Sequence, residues 1–191
     1  MKALYIASTG MSAQERNVEV ISNNIANMRT TGYKRQRAEF QDLLYQSYRR
    51  AGSATSDAGT QVPVGIEIGS GVKLAATARI MTQGNVVPTE KELDIAIRGE
   101  GFLVVALPDG RTAYTRDGTL ERDATGLLVN VDGFQIEPGI IVPEDATAIS
   151  ISRDGIIEAY VGDETLPVQL GQIQMARFVN KGGLESIGDN L

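Results

Sequence analysis

The side chains able to do chemistry in this 191-residue chain are carboxylates, lysines, tyrosines and hydroxyls, because it contains no Cys, no His and no Trp. That composition excludes thiolate nucleophiles, disulfides, zinc ribbons and iron–sulfur clusters. It equally excludes a Ser-His-Asp triad, an imidazole base and a His-held metal. Acids cluster twice, at Glu90, Glu92 and Asp94 and at Glu121 and Asp123. Two carboxylates held about 5–9 Å apart in a cleft hydrolyse glycosides. Here both groups sit beside turn residues in an acid-rich chain and read as solvated surface. Arg98-Gly99-Glu100-Gly101-Phe102 begins as G-x-G, but Val104 stands where the dinucleotide fingerprint needs its third glycine. There is no P-loop and no EF-hand spacing. The expectation is therefore a non-enzyme with no catalytic residues, no cofactor and no metal.

Binding is the remaining class of function, and charge is the first guide to it. The chain carries 18 Lys+Arg against 24 Asp+Glu, a net of −6. Residues 1–50 hold eight of the cations and four of the acids, so the N-terminal part is basic and the rest acidic. A basic arm can hold nucleic acid, but these cations are spread out, mixed with acids and not interleaved with aromatics at stacking spacing. Nucleic acid is not an expected partner. The same asymmetry suits one end of a subunit packing on the other end of its neighbour. No apolar run approaches the ~20 residues of a membrane span, so direct membrane insertion is not expected. The N-terminus lacks the apolar core of a secretory signal, so the chain is expected to be cytosolic or exported by a route that cleaves no signal.

The strongest pattern lies at the start. Leu4, Ala7, Met11, Gln14, Val18, Ile21, Ile25 and Met28 recur at alternating threes and fours, apolar at every position but Gln14. This spacing predicts a helix over residues 4–29 with a coiled-coil seam. An exposed stripe of this kind gains its stability from a partner, and the chain offers no second heptad pattern to supply one. The alternative is an ordinary amphipathic helix packed on its own core.

Thr30-Thr31-Gly32-Tyr33 breaks this helix. Residues Lys34 to Arg50 read as a second helix, with Phe40, Leu43, Leu44 and Tyr48 at helical spacing. Lys34, Arg35 and Arg37 fall at its start, where the helix dipole disfavours cations; they face either solvent or an acidic partner. Residues 51–61 are a loop by composition. From Val62 on, short β-prone runs separated by Asp109-Gly110, Asp117-Gly118, Asp132-Gly133 and Asp154-Gly155 predict an all-β domain. The fold class expected is α+β: a long N-terminal coiled-coil helix and a second helix, then short antiparallel strands.

One segment is more specific than these patterns. Asn24-Ile25-Ala26-Asn27-Met28-Arg29-Thr30-Thr31-Gly32-Tyr33-Lys34 resembles the N-terminal signature of bacterial flagellar axial proteins, the rod, hook and hook-associated subunits. Ser8-Thr9-Gly10-Met11 fits the opening of that family. Gln83-Gly84-Asn85, Leu93-Asp94-Ile95-Ala96-Ile97-Arg98-Gly99-Glu100-Gly101-Phe102 and Tyr114-Thr115-Arg116-Asp117-Gly118 are similar to its later motifs. Phe40–Gln46, Gly65–Val72 and Gly183–Leu191 fit the distal-rod members better than the proximal rod or hook members.

The resemblance implies a structural subunit of the flagellar basal body that self-assembles into a rigid hollow shaft carrying torque from motor to hook. Another axial subunit, proximal rod or hook, is the alternative, followed by a peptidoglycan-binding β domain. Implied partners are further copies of the chain, proximal rod proteins, hook protein, the rings around the rod and the flagellar type III export apparatus. The implied location is the rod crossing the periplasm, reached without a cleaved signal peptide. The implied parts are an assembly helix at 1–33, a helix with an extended region at 34–78, a β domain at 79–181, and at 182–191 the beginning of a C-terminal region. In the family that region ends in a helix that pairs with the first one, and it is expected to be truncated here. The assembly interface implied comprises Leu4, Ala7, Met11, Val18, Ile21, Asn24, Ile25, Asn27, Met28, Gly32, Tyr33, Phe40, Leu43 and Leu44. Asn23, Asn24 and Asn27 are expected either to bond between adjacent helices or to face solvent.

Overall fold

A computed structural model describes residues 1–53, 62–162 and 166–191. The expected loop at 51–61 lies, from residue 54 on, outside the described residues. The chain divides into two compact units: Met1–Met28 with Arg35–Ile80, and Arg29–Lys34 with Met81–Leu191.

In the first unit α1 spans Lys2–Ala26, about 37 Å at 1.5 Å per residue. It stops three residues short of the predicted end. There the Asn27 N–H still donates to Asn23 O at 3.0 Å, but the Met28 N–H donates to Ile25 O at 3.2 Å, a tightened last turn that closes the helix.

The second helix is absent, and strands stand in its place. Residues Gln36–Asp42 form β1 and Tyr45–Arg49 form β2. They pair with β4, Val72–Arg79, and β3, Ile66–Gly69. The register runs antiparallel from Gln36 opposite Arg79 to Asp42 opposite Val72, then from Tyr45 opposite Gly69 to Arg49 opposite Ile66. Leu43 N–H to Gly71 O at 2.9 Å and Ser70 N–H to Leu44 O at 3.1 Å join the two pairs into one long ribbon. A helix over these residues would satisfy its backbone but bury no apolar stripe, and a short isolated helix is marginal. Pairing with 66–79 satisfies the same backbone groups and sets Phe40 opposite Leu74. Cross-strand partners far along the chain decide the matter, which a local spacing rule does not see.

The ribbon is fastened along α1 at three places. Near the helix end the Asn24 carboxamide imitates a strand: Nδ2 donates to Gln36 O at 2.7 Å and Oδ1 accepts from Gln36 N–H at 2.9 Å. Midway, Thr9 Oγ1 donates to Ile6 O at 2.7 Å and accepts from Val72 N–H at 3.4 Å. A side chain on Gly71 would meet that oxygen at 2.3 Å, so only glycine fits the approach. At the helix start the Lys2 ammonium donates to Gln46 Oε1 and lies 5.5 Å from the Tyr48 ring centroid. The spacings agree: 15 helical residues from Thr9 to Asn24 rise about 22 Å, and the six steps of β1 span about 20 Å. Ala13 is the one fully buried residue of α1, and its small side chain permits the close approach.

The second unit is β in its regular elements apart from one 3-10 turn at Lys181–Gly183. Its main strands are β5 (Phe102–Ala106), β6 (Thr112–Thr115), β7 (Leu120–Arg122), β8 (Leu128–Asn130) and β9 (Gln135–Ile136). With β13 (Met175–Ala176) they form a six-stranded sheet in which β5 pairs with β6, β9 and β13. β10 (Ala146–Ile151), β11 (Ile156–Val161) and β12 (Val168–Gln172) form a second sheet in chain order. All pairs are antiparallel. Three of the four Asp-Gly pairs close hairpins, with Gly110, Gly133 and Gly155 at φ 76–83° as such turns require. Asp117-Gly118 does something else, described below.

The core is aliphatic. One cluster centres on Leu103, Val105, Ala113, Leu120 and Ile136, another on Leu128, Ile140, Val142 and Ile157. Leu93 and Ile173 pack against both and join them. Leu93, Ile95 and Ile97, from an irregular segment, turn inward at alternate positions and cover the first cluster.

Candidate assembly surface

A side chain available for assembly must be left uncovered by its own chain. Leu4, Ala7, Met11, Val18, Ile21 and Ile25 of α1, and Met28 just past its end, meet this condition. Exposure runs from 47% at Ile21 to 77% at Met28 among the large ones. The helix face that meets the ribbon is a different one. Ile6, Thr9, Ala13, Val20 and Asn24 are half-buried or buried, and at 100° per residue they lie roughly opposite the seam. Two stripes with the same periodicity thus share one helix: one is used within the chain and the other is left open.

This second stripe escaped the sequence reading because it is built of small and polar residues. Its signal was present in the alternating spacing of Ile6, Thr9, Ala13, Val20 and Asn24, but only an apolar stripe advertises itself by hydropathy.

The other expected interface residues fall elsewhere. Asn24 is engaged with Gln36, and Asn27 Nδ2 donates to Asn23 O at 3.0 Å, so both carboxamides have bonds within the chain. Phe40, Leu43 and Leu44 lie on the ribbon, Leu44 being 87% exposed and Leu43 half-buried. Gly32 and Tyr33 belong to the second unit. The fourteen residues therefore make a helix stripe, a ribbon patch and a loop, not one cluster.

The loop leads to a junction that residue-by-residue reading missed. Gly32 adopts φ +73°, and a Cβ there would lie 2.8 Å from the backbone of Arg116 and Asp117. Arg116 gathers the neighbouring chain: Nη1 donates to Gly101 O at 2.9 Å, and Nη2 to Gly99 O at 2.8 Å, Gln83 Oε1 at 3.2 Å and Ile97 O at 3.4 Å. Gln83 itself donates to Ile97 O at 3.1 Å and accepts from Gly99 N–H at 3.3 Å. Beside it, Gly118 lies under Ile95, whose N–H donates to Gly118 O at 2.9 Å. Asp117 Oδ2 accepts from Asn190 Nδ2 at 3.0 Å, and Thr115 Oγ1 donates to Asn190 O at 2.7 Å. The segments around Gly32, Gln83, Ile97–Gly101 and Thr115–Gly118, scattered along the sequence, are one physical junction. Lys34 belongs to it as well: its Nζ donates to Thr82 O at 3.1 Å. Burial, and after it the Arg116 charge, holds the Lys34 ammonium below the usual lysine range.

Neither part has the makings of an active site. Glu121 is paired with Lys91 at 3.1 Å on the surface, and Asp123 is occupied in a turn, where the Thr125 hydroxyl and backbone N–H groups hold its carboxyl below the usual range. Among the described residues no group of three acids is placed to hold a metal ion, and no helix is long and apolar enough to cross a membrane.

Residues 4–34 match the family described as flagella basal body rod protein, and residues 96–159 match the flagellar hook protein FlgE/F/G D1 domain. The flagellar basal-body rod protein FlgG of Caulobacter vibrioides is 52% identical over 191 residues, all of this chain and 73% of that protein. The FlgG of Buchnera aphidicola subsp. Acyrthosiphon pisum is 49% identical over 189 residues, 99% of this chain and 72% of that one. The flagellar hook protein FlgE of Helicobacter mustelae is 33% identical over 180 residues, 94% of this chain but 38% of the hook protein. At about half identity over its whole length, the chain belongs to the flagellar basal-body rod proteins of the FlgG, or distal rod, family.

Proposed function

We propose that this structural, non-enzymatic rod subunit polymerises by burying the exposed stripe of α1 against the helices of sister copies, forming a coiled-coil inner tube. The observation that carries the reading is the stripe itself. Seven apolar positions at seam spacing stand in solvent while the opposite face of the helix is engaged by the ribbon. Burying each large side chain yields about 1.5–3 kcal/mol, so a row of them exceeds the cost of ordering a helix end. α1 buries one residue fully in the free chain, so assembly and the ordering of the first unit are coupled.

The ribbon of 36–49 and 66–79 adds exposed Phe40, Leu44, Tyr45 and Tyr48 as lateral contacts between neighbours. More contacts per subunit make a stiffer shaft, suited to carrying torque from the motor toward the hook. Proximal rod proteins, hook protein and surrounding rings are its neighbours in this reading. The subunit works where the rod crosses the periplasm, after export through the flagellar apparatus. In this reading residues 1–33 serve assembly, 34–78 extend along the shaft and 79–181 are the β domain.

Electron microscopy of purified protein at high concentration tests this. Straight tubes are expected from the intact chain and none from a chain lacking residues 1–33. Tubes formed without those residues would refute the helix-driven assembly.

A further inference from the structure

The junction holds two cations that form no ion pair among the described residues. Lys34 and Arg116 bring their charged heads to consecutive residues, Lys34 Nζ at Thr82 O and Arg116 Nη2 at Gln83 Oε1. Gly32, two residues before Lys34, presses on the Arg116 backbone, so the two side chains are held to one spot. Every acceptor Arg116 uses is a neutral oxygen, and its Nε takes no part in those bonds. The ion pairs of the described residues all lie elsewhere: Arg16–Glu19, Arg37–Glu39, Lys91–Glu121, Arg111–Asp109 and Lys181–Glu100. Glu100 is close enough to feel Arg116, but the Lys181 hydrogen bond dominates its carboxyl and pulls it down.

Two half-buried cations side by side repel each other and lose hydration, a cost that a counter-ion relieves. Acids are not scarce: the unit that holds this pair has eighteen Asp/Glu against ten Lys/Arg, a net of −8, yet among the described residues none forms an ion pair with Lys34 or Arg116. We infer that Lys34 and Arg116 form a subsite for a carboxylate supplied by a second copy of this chain. The inference rests on the subunit reading above and adds to it a polar contact away from the helix stripe. A guanidinium beside an ammonium suits a carboxylate, which accepts from both at once. Each copy brings a surplus of surface carboxylates, and repetition of one contact between copies gives the assembly a fixed register.

The test couples the contact chemically. Polymer is grown from equal parts of unlabelled and 15N-labelled chain and treated with a carbodiimide. The reagent takes up the elements of water to become a urea, while a lysine amine and a touching carboxylate become an amide. Lys91–Glu121, at 3.1 Å within one chain, is the internal control. The expected product is a peptide joining Lys34 to an Asp or Glu of mixed isotope pairing, found in polymer and not in monomer. Lys34→Met is expected to raise the critical concentration about tenfold, a loss of ~1.4 kcal/mol, and to flatten its salt dependence, while Lys34→Arg restores both. Polymer in which Lys91 couples and Lys34 does not overturns the subsite. So does coupling of Lys34 within one copy or to a different protein. Wild-type chain that never polymerises contradicts the subunit reading itself, and the subsite with it.

Discussion

Ile21→Asp abolishes tube formation and leaves the free chain as stable as the parent. Ile21 is 47% exposed in the free chain, so a charge there is reached by water before assembly. In the proposed polymer the same position would face a sister helix, where an unpaired carboxylate costs several kcal/mol on top of the ~1.5–3 kcal/mol of apolar burial that is lost. At 1.4 kcal/mol per tenfold, the critical concentration rises beyond any reachable in a tube assay. Ser12→Asp, on the exposed polar side of the same helix, serves as control and is expected to polymerise normally. Pelleting assays and thermal melts of the two variants read both halves of the prediction. Normal tubes from Ile21→Asp would place the interface elsewhere, and a melt lowered as in a core variant would mean the stripe is already covered.

The second large effect lies in the β unit. A Cβ added at Gly118 would stand 1.8 Å from Ile95 O and 2.8 Å from its carbonyl carbon, backbone atoms that cannot swing aside. Gly118→Ala must push the Leu93–Ile97 segment off the core it covers and lengthen the Ile95 N–H bond to Gly118 O. The expected cost is about 3 kcal/mol or more, a fall in melting temperature of about 10 °C for a unit of this size. Gly110→Ala is the matched control. That glycine has φ +80° but nothing within 4 Å, so the change costs only the ~1–2 kcal/mol of a left-handed alanine. Equal melting shifts in the two variants would show that the close approach at Gly118 carries no special weight.

These two sites differ in how far the sequence announced them. The apolar spacing of α1 was legible because seven apolar residues at alternating threes and fours have few explanations, and the structure leaves them exposed on a helix and just past its end. The helix itself was legible to within three residues at its end. Residues 34–50 were misread because Phe40, Leu43, Leu44 and Tyr48 satisfy helical spacing by coincidence, while the pairing that makes them strands involves residues 66–79 across a gap that local rules do not span. The Asp-Gly pairs carry their own geometry, so three of the four hairpins followed directly. Asp117-Gly118 did not, because its glycine is required by contact with Ile95 and not by a turn. Arg116 was invisible for a similar reason. Nothing in the run Tyr114–Gly118 states that one guanidinium will collect the carbonyls of Ile97, Gly99 and Gly101. The motifs that carry the resemblance are separate in sequence and meet in one junction in the fold.

Methionine footprinting addresses the stripe most directly, since Met11 and Met28 are both large, exposed members of it. Brief exposure to hydroxyl radicals, followed by mass spectrometry, compares their oxidation in dispersed chain and in tubes. The account predicts rapid oxidation of both in dispersed chain and at least about tenfold protection of Met11 in tubes, as full burial removes a reactive sulfur from solvent. Met11 equally reactive in both states, or already protected before any tube forms, would contradict it.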